Sequence, residues 1–296
     1  LPDDCTPAVA SYLLNYSLGS NAVMATILDL ARKGYINIED GGEYKKKTSN
    51  IILTKIKEDG NLLSHEIFFI NWLFNNIGTG IKVETEKIEK YAKKNYTQFW
   101  KNYSEWQKKV KEDAFKLGYF DNKGKNRGIV VLILSAISFA ISIIALAFES
   151  MFGLFPLFAS IFGIIYSITL FLRKSDLGFK QYKKWTEFTK YMKANRKDLD
   201  NDIFEYPLDT SLIYALGLGV DRKALNKYKI YAEEHYGINP WVYWYFYTAG
   251  HRDNAFDKSI NNAFGSVTSS GSSTGSGGGF SGGGGGGAGG GGAGGF

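Results

Sequence analysis

Few side chains in this sequence are of the types that usually carry acid–base or nucleophilic chemistry, and those few are far apart. The histidines are His65, His235 and His251, and the one cysteine is Cys5. Catalysis by such groups needs a base and a nucleophile within hydrogen-bond reach. No HExxH, Walker-type or Cys/His zinc spacing brings them together. We therefore predict no catalytic residue, no cofactor and no metal, and keep as an alternative an enzyme whose site joins His65 to His235 or His251.

An acidic stretch, "KDLDNDIFEYPLD", has aspartates at the spacing of an EF-hand calcium loop: Asp198, Asp200, Asp202 and Asp209. The loop needs glycine at its sixth position and a bidentate glutamate at its twelfth. Here Ile203 takes the sixth position, Asp209 takes the twelfth, and Pro207 interrupts the segment. We expect no calcium site.

The segment "ATILDLARKGYINIED" predicts a helix that ends at a glycine and is followed by a strand. Val23, Ile27 and Leu30 recur on one face of a helix from about residue 21 to 33, and Gly34 supplies its end. "YINIED" and "NIILTKIK" alternate as strands around a basic turn. Together with the preceding "TPAVASYLLN" helix, this order is typical of a winged helix.

DNA binding is the activity that a winged helix first suggests. A recognition helix presents Arg, Lys, Asn or Gln to base edges. The helix before Gly34 offers Asn21 at its start and Arg32 and Lys33 in its last turn, and we expect Asp29 to point outward between them. We therefore predict that nucleic acid is not a partner, and keep a membrane-tethered winged-helix DNA-binding regulator as an alternative.

Two long apolar segments, 128–148 and 150–172, are separated only by Glu149. Each reaches roughly 30 Å as a helix, the thickness of a bilayer core. We predict a transmembrane hairpin, with a kink at Pro156 as one possibility. Basic residues flank its outer ends: Lys123, Lys125, Arg127, Arg173 and Lys174. By the positive-inside rule we expect residues 1–126 and 175–296 to face the cytoplasm, with membrane lipids as one partner.

Two further groups of residues, one aromatic and one basic, are suited to contacts with a partner. "INPWVYWYFYTAG" has more aromatic side chains than one buried face can hold. The turn between the predicted strands carries three lysines, which could meet phosphate, lipid headgroups or only solvent. We predict a possible interaction surface from the two groups: Lys45, Lys46, Lys47, Trp241, Tyr243, Trp244 and Tyr245.

The sequence predicts a mainly α-helical protein with small β wings. Its predicted parts are a winged-helix-like module (1–62), a second helical or winged-helix-like module (63–126), the transmembrane hairpin (127–174), a helical module (175–264) and a disordered Gly/Ser-rich tail (265–296). For the helix after the hairpin, packing on the protein and lying on lipid headgroups are both open. Because the chain starts at Leu1 without methionine, we expect it to be part of a longer protein.

Five features in a fixed order resemble one protein family. They are "LPDDCTPAVASYLL", "ATILDLARKGYINIED", the membrane hairpin, "IFEYPLDTSLIYALGLGV" and the glycine tail. This order is similar to the C-terminal half of the bacterial predicted membrane proteins called domain of unknown function 2207, although "EYPLDT" departs from the spacing expected there. The resemblance implies a preceding extracytoplasmic β-rich domain and a further membrane span. It brings no catalytic residues.

These observations favour an integral membrane protein without a defined activity, which acts as a membrane-anchored cytoplasmic protein-interaction or scaffold module. The expected partner is another protein or a second copy of the chain.

Overall fold

The computed structural model describes residues 1–45, 48–57, 60–194, 208–225 and 255–268. These residues are mostly helical and include one three-stranded sheet. The elements are α1 (Pro7–Asn15), α2 (Ser20–Arg32), β1 (Ile36–Lys45), β2 (Thr48–Lys55), α3 (Ser64–Asn71, continued as a π-helix over Trp72–Ile77), β3 (Lys82–Glu84), α4 (Thr85–Lys94), α5 (Tyr96–Lys116), α6 (Asn122–Ala147), α7 (Leu154–Phe171, preceded by a 3-10 turn at Met151–Gly153), α8 (Asp176–Lys193), α9 (Leu208–Gly217), α10 (Arg222–Leu225) and α11 (Ala255–Thr268).

The first two helices begin and end as the sequence predicts. Thr6 caps α1, its hydroxyl accepting a hydrogen bond from the Val9 amide at 3.4 Å, and Pro7 occupies the first helical turn. After α2, Gly34 has a φ of +74°, a left-handed conformation that glycine adopts without a Cβ clash. The amide of Tyr35 then donates to the Leu30 carbonyl and closes the helix end.

Helix α2 is central, not amphipathic. Every residue from 22 to 30 is buried, including Thr26, whose hydroxyl donates to the Ala22 carbonyl at 2.7 Å. The expectation that Asp29 points outward is wrong, because this carboxylate is 1% exposed and pairs with Arg32 and Lys33. Packing by α1, α9 and α11 covers the sides that the local pattern had left to solvent.

The predicted strands form an antiparallel hairpin. β1 pairs with β2 from Ile36↔Lys55 onward, with irregular register after Asp40, and β3 adds to the other edge of β2. Both strands extend farther toward the turn than the alternation predicts. Gly42, with a φ of +84°, lies at the irregularity and lets β1 continue to Lys45.

One hydrophobic core joins segments from before and after the two apolar helices. Phe264 of α11 packs its ring against Phe69, Trp72 and Phe99, with centroids 5.5 to 6.4 Å apart. Trp185 of α8 stacks on Tyr214 of α9 at 5.1 Å. Helix α8 therefore packs on the protein through Trp185 and Met192, whereas Phe179 in its first turn is exposed.

The segment "DAFKLGYFDN", residues 113–122, ends a helix in the same way as "LARKGYINIED". Gly118 has a φ of +77°, and the Tyr119 amide donates to the Ala114 carbonyl. The chain beyond it differs, because Phe120 forms one isolated bridge with Lys174 in place of a β-hairpin. The local similarity thus extends to the helix end and no farther.

Helices α6 and α7 form an antiparallel pair that projects its apolar side chains outward. Both are long and apolar enough to cross a membrane, and only 11% and 17% of the residues in their most apolar stretches are buried. Small residues line the face between them, with buried Gly128, Ser135 and Ser142 on α6 at seven-residue spacing. Pro156 lies in the first turn of α7, where its missing amide removes no helical hydrogen bond.

Candidate functional site

The outer ends of α6 and α7 are fastened to the soluble part of the chain. We call residues 118–121 and 172–178, with Tyr16, the membrane junction. Within it the Asp121 amide donates to the Arg173 carbonyl and the Ser175 amide to the Tyr119 carbonyl, both at 3.0 Å. These main-chain bonds connect the two ends of the apolar pair to each other and to the start of α8.

Lys174 lies at the centre of the membrane junction between two aromatic rings. Its ammonium is 3.9 Å from the Tyr16 ring centroid and 4.3 Å from that of Tyr182, and it donates to the Tyr16 hydroxyl. The Tyr16 hydroxyl in turn donates to the Leu172 carbonyl at 3.1 Å. Burial lowers the pKa of Lys174 to about 8, while the ring faces favour its charged form.

Gly178 makes the closest approach in the membrane junction. A Cβ at this position would overlap the main-chain carbonyl of Tyr119. Ser175, the cap of α8, accepts a hydrogen bond from the Gly178 amide at 2.9 Å and donates to the Gly118 carbonyl. The first turn of α8 is therefore packed directly on the chain that leads into α6.

Of the three histidines, the structure describes His65, and it brings this residue together with Thr6 and Asp113. His65 Nε2 lies 3.0 Å from Thr6 Oγ1, and His65 Nδ1 lies 2.8 Å from Asp113 Oδ2. No local pattern signals this contact, since the residues lie on three different helices or their caps. His235 and His251 lie outside the described residues.

A hydroxyl, an imidazole and a carboxylate in this order could in principle activate a nucleophile. Here, however, all three side chains are buried, His65 completely. Thr6 Oγ1 also caps α1. A substrate carbonyl cannot reach a hydroxyl in this position without opening the core, so the network joins α1, α3 and α5 as a structural unit.

Asp113 is the most strongly bound carboxylate of this network. Burial alone would raise the pKa of Asp113, but hydrogen bonds from the His65 ring, the Ser64 hydroxyl and the His65 amide hold it well below its usual range. Lys116 adds a contact at 3.1 Å. The carboxylate is therefore ionised at every physiological pH and fixes the start of α3.

A second buried polar cluster ties the end of α2 to α3. The ammonium of Lys33 lies 2.8 Å from both Asp29 and Glu66. Burial lowers the pKa of Lys33, but the two carboxylates outweigh burial and leave that pKa raised. The charge of Lys33 is thus neutralised by Asp29 and Glu66, and these three side chains bind one another and not a ligand.

Cys5 is a buried thiol beside tyrosines of other segments. Burial raises the pKa of Cys5 to about 12, and the Tyr214 hydroxyl donates to the Cys5 carbonyl. A thiol in this environment is protonated and a poor nucleophile. Within the described ranges, no group of three or more His, Cys, Asp or Glu side chains is placed to hold a metal ion.

The structure describes one of the residues predicted for the interaction surface. Lys45 is the last residue of β1. The others, Lys46, Lys47, Trp241, Tyr243, Trp244 and Tyr245, lie outside the described residues, as do the aspartates of residues 198–202. Whether the lysines and aromatic residues form one surface stays a prediction.

The structure instead shows an open groove between α6 and α7 at the membrane junction. Its volume is about 510 Å³, and Arg127, Arg173, Tyr166 and Leu170 are among its lining residues. Arg127 belongs to α6, which begins at Asn122 and includes the basic residues predicted to precede it. On the α6 side the basic end of the hairpin is thus helical and directly continuous with the apolar segment, whereas Arg173 and Lys174 follow the end of α7.

Two apolar helices that expose most of their surface, fastened at their basic ends to a folded soluble part, define a membrane protein. A family model described as the predicted membrane protein (DUF2207) C-terminal domain matches residues 1–228, and the chain belongs to this family. The resemblance seen in the sequence is thereby confirmed. No curated protein and no solved structure is detectably similar to the chain.

Proposed function

We propose that the chain is a membrane-anchored, cytoplasmic protein-interaction module. One observation carries the proposal: segments before and after the hairpin share a single core, and main-chain bonds at the membrane junction fasten this core to the hairpin. The hairpin then acts as an anchor, and the folded part is presented at one membrane face. The basic residues at its outer ends support a cytoplasmic location.

Outside the hairpin, several exposed apolar side chains are suited to contact with a protein partner. Ile56 and Ile81 are 57% and 61% exposed, and they are neighbours because the Lys55 amide donates to the Ile81 carbonyl at 2.8 Å. Trp100 of α5 is 47% exposed. In this proposal the winged-helix-like arrangement of α2, β1 and β2 serves protein contact, and the aromatic run at residues 238–250 adds to it.

DNA binding is not supported by the arrangement of α2. A recognition helix must lay an exposed face in the major groove, whereas α2 is buried from residue 22 to 30. Its terminal Arg32 and Lys33 are already paired with Asp29.

The orientation can be tested with single cysteines and a membrane-impermeant maleimide. We expect Lys123→Cys and Lys180→Cys to be labelled from the cytoplasmic side and Ser150→Cys, in the turn between the spans, only from the opposite side. Labelling of all three from one side would overturn the transmembrane arrangement. The buried Cys5 serves as the internal negative control.

The interaction role can be tested by photo-crosslinking in intact membranes. A photoreactive phenylalanine analogue at Ile81 or Trp100 should yield a discrete crosslinked protein, and a product of twice the chain mass would identify a second copy. The same analogue at Phe155, an exposed residue of α7, serves as the matched control and should label lipid. Absence of protein adducts at both test positions would contradict the proposal.

A further inference from the structure

The groove at the membrane junction combines two kinds of surface. Arg127, Arg173 and Asn126 line its end nearest the soluble part, and the apolar side chains of Val130 and Leu170 continue it along the hairpin. Tyr166 lies one turn beyond Leu170 on α7. A ligand that fits both ends must have an anionic group joined to an apolar group.

The two guanidinium groups have little acidic compensation. Arg173 Nε is 3.7 Å from Asp121 Oδ2, a loose ion pair, and the Arg173 side chain is 61% exposed. The other carboxylate oxygen of Asp121 accepts the Lys123 amide at 2.9 Å as the cap of α6. Arg127 is exposed, and the charge of the same Asp121 carboxylate also interacts with it, so the two guanidinium groups share one carboxylate. The groove is therefore net positive at its polar end.

We propose that this groove binds the phosphate of an anionic phospholipid between Arg127 and Arg173. A planar guanidinium group can donate two parallel hydrogen bonds to two phosphate oxygens, whereas an ammonium group cannot. The groove lies where the apolar helices meet the soluble part, which is the depth of headgroups in a bilayer. A free phosphate would satisfy the arginines but leave the wall of Val130 and Leu170 unused.

Exposed side chains of α8 near the groove are also suited to the headgroup region of a bilayer. Leu177, within the membrane junction, and Phe179, directly after it, are 47% and 51% exposed in the first turn of α8. The ammonium of Lys183 lies 4.7 Å from the Phe179 ring centroid. Apolar side chains with a lysine above them are typical of a surface that enters the headgroup region.

The site can be tested on the full chain in neutral detergent by titrating phosphatidylglycerol and counting retained lipid by native mass spectrometry. The Arg127→Gln/Arg173→Gln variant should bind phosphatidylglycerol at least about tenfold more weakly than the unaltered chain. Lys123→Gln/Lys180→Gln removes the same charge from exposed positions outside the groove and should change binding by less than about twofold. Arg127→Lys/Arg173→Lys should fall between them, because it keeps the charge and loses the paired geometry.

Two results would overturn the site. Equal losses in the arginine and lysine pairs would show a diffuse basic surface. Binding of glycerol 3-phosphate as tight as that of phosphatidylglycerol would show a site for soluble phosphate. The inference rests on the proposed membrane anchoring, so resistance of each variant to alkaline extraction from membranes is measured in parallel. Extraction of the unaltered chain would refute the anchoring itself, whereas retention with failed lipid binding would refute only the groove.

Discussion

The imidazole of His65 contacts a partner through each of its nitrogens, and both partners come from distant parts of the chain. Thr6 lies 59 positions before it and Asp113 lies 48 positions after it. A lone histidine in an apolar helix gives no indication of such partners, since its own neighbours at helical spacing are Phe68 and Phe69. Sequence reasoning could identify His65 as a candidate, but the contact depends on how α1, α3 and α5 pack.

Asp113 is the residue whose loss should destabilise this network most. Asp113→Asn removes a buried charge that accepts four hydrogen bonds or ion contacts, and we expect the free energy of unfolding to fall by about 3 kcal/mol. The measurement is urea unfolding in detergent, followed by the fluorescence of the buried Trp72, Trp106 and Trp185. Glu105→Gln, at a partly exposed helix position paired with Lys108, should change it by less than about 0.5 kcal/mol.

The Asp113 contribution should also depend on pH. Its pKa is lower in the folded than in the unfolded chain, so its stabilisation is complete above the ordinary carboxyl pKa of about 4 and is lost as pH falls below that value. The difference between the unaltered chain and Asp113→Asn should therefore shrink between about pH 5 and pH 2. A difference that stays constant over this range would assign the destabilisation to packing alone.

The apolar hairpin is the element that the sequence predicted best. Its prediction needed only segment length and the absence of charge, both of which are local properties. The face that each helix turns to the other was not predicted, because Gly128, Ser135 and Ser142 are weak signals in an apolar background. The start of α6 at Asn122 also differs from the predicted start of the apolar segment at residue 128, because the cap at Asp121 allows the helix to include the basic residues.

The pairing of α6 with α7 predicts a specific crosslink. A Cβ at Gly163 would lie 3.2 Å from the Cβ of Ser135, so a small separation of α6 from α7 would bring the pair to the roughly 3.5 to 4.5 Å found in disulfides. Ser135→Cys/Gly163→Cys should form an intramolecular disulfide under mild oxidation, detected by peptide mass spectrometry. Ile137→Cys/Ile165→Cys, with both residues facing outward, should not. Equal yields in the two pairs would contradict this register of α6 against α7.

The first turn of α8 predicts a strong effect of a small substitution. Gly178→Ala places a methyl group against the Tyr119 carbonyl, and we expect a loss of about 2 kcal/mol in the free energy of unfolding. Gly265→Ala, in α11 with no atom near the added Cβ, should be neutral or stabilise by up to about 1 kcal/mol. The same urea unfolding measures both, and similar values for the two would show that the close approach at Gly178 is easily relaxed.

The whole molecule was harder to predict than its elements because its core is built from segments far apart in sequence. The helical spacing of apolar residues from 23 to 30 indicated one buried face of α2. The remaining faces are covered by α9 and α11, which lie at least 176 positions later in the chain. The parts assigned to residues 1–62 and 63–126 are also joined, since β3 pairs with β2. Domain boundaries inferred from composition carry no information on such contacts.

A shared core predicts that the segment before the hairpin is unstable alone. A chain of residues 1–121 lacks Trp185, Tyr214 and Phe264, so Phe69, Trp72 and Phe99 lose an aromatic partner. We expect limited proteolysis to degrade it at least about tenfold faster than the same residues in the full chain. Adding residues 172–268 as a separate polypeptide should restore part of the protection. Equal resistance of the isolated segment would show that it folds independently.

The position of Phe264 also sets an order of events during synthesis. At about 5 to 20 residues per second, the ribosome adds the 165 residues between Phe99 and Phe264 in roughly 10 to 30 seconds. Both apolar helices emerge within this interval, so they are delivered to the membrane while the core ahead of them still lacks its last aromatic side chain. We therefore expect insertion of these helices to precede completion of the fold, with Phe69 and Trp72 still without the aromatic contact of Phe264 in a nascent chain stalled before α11.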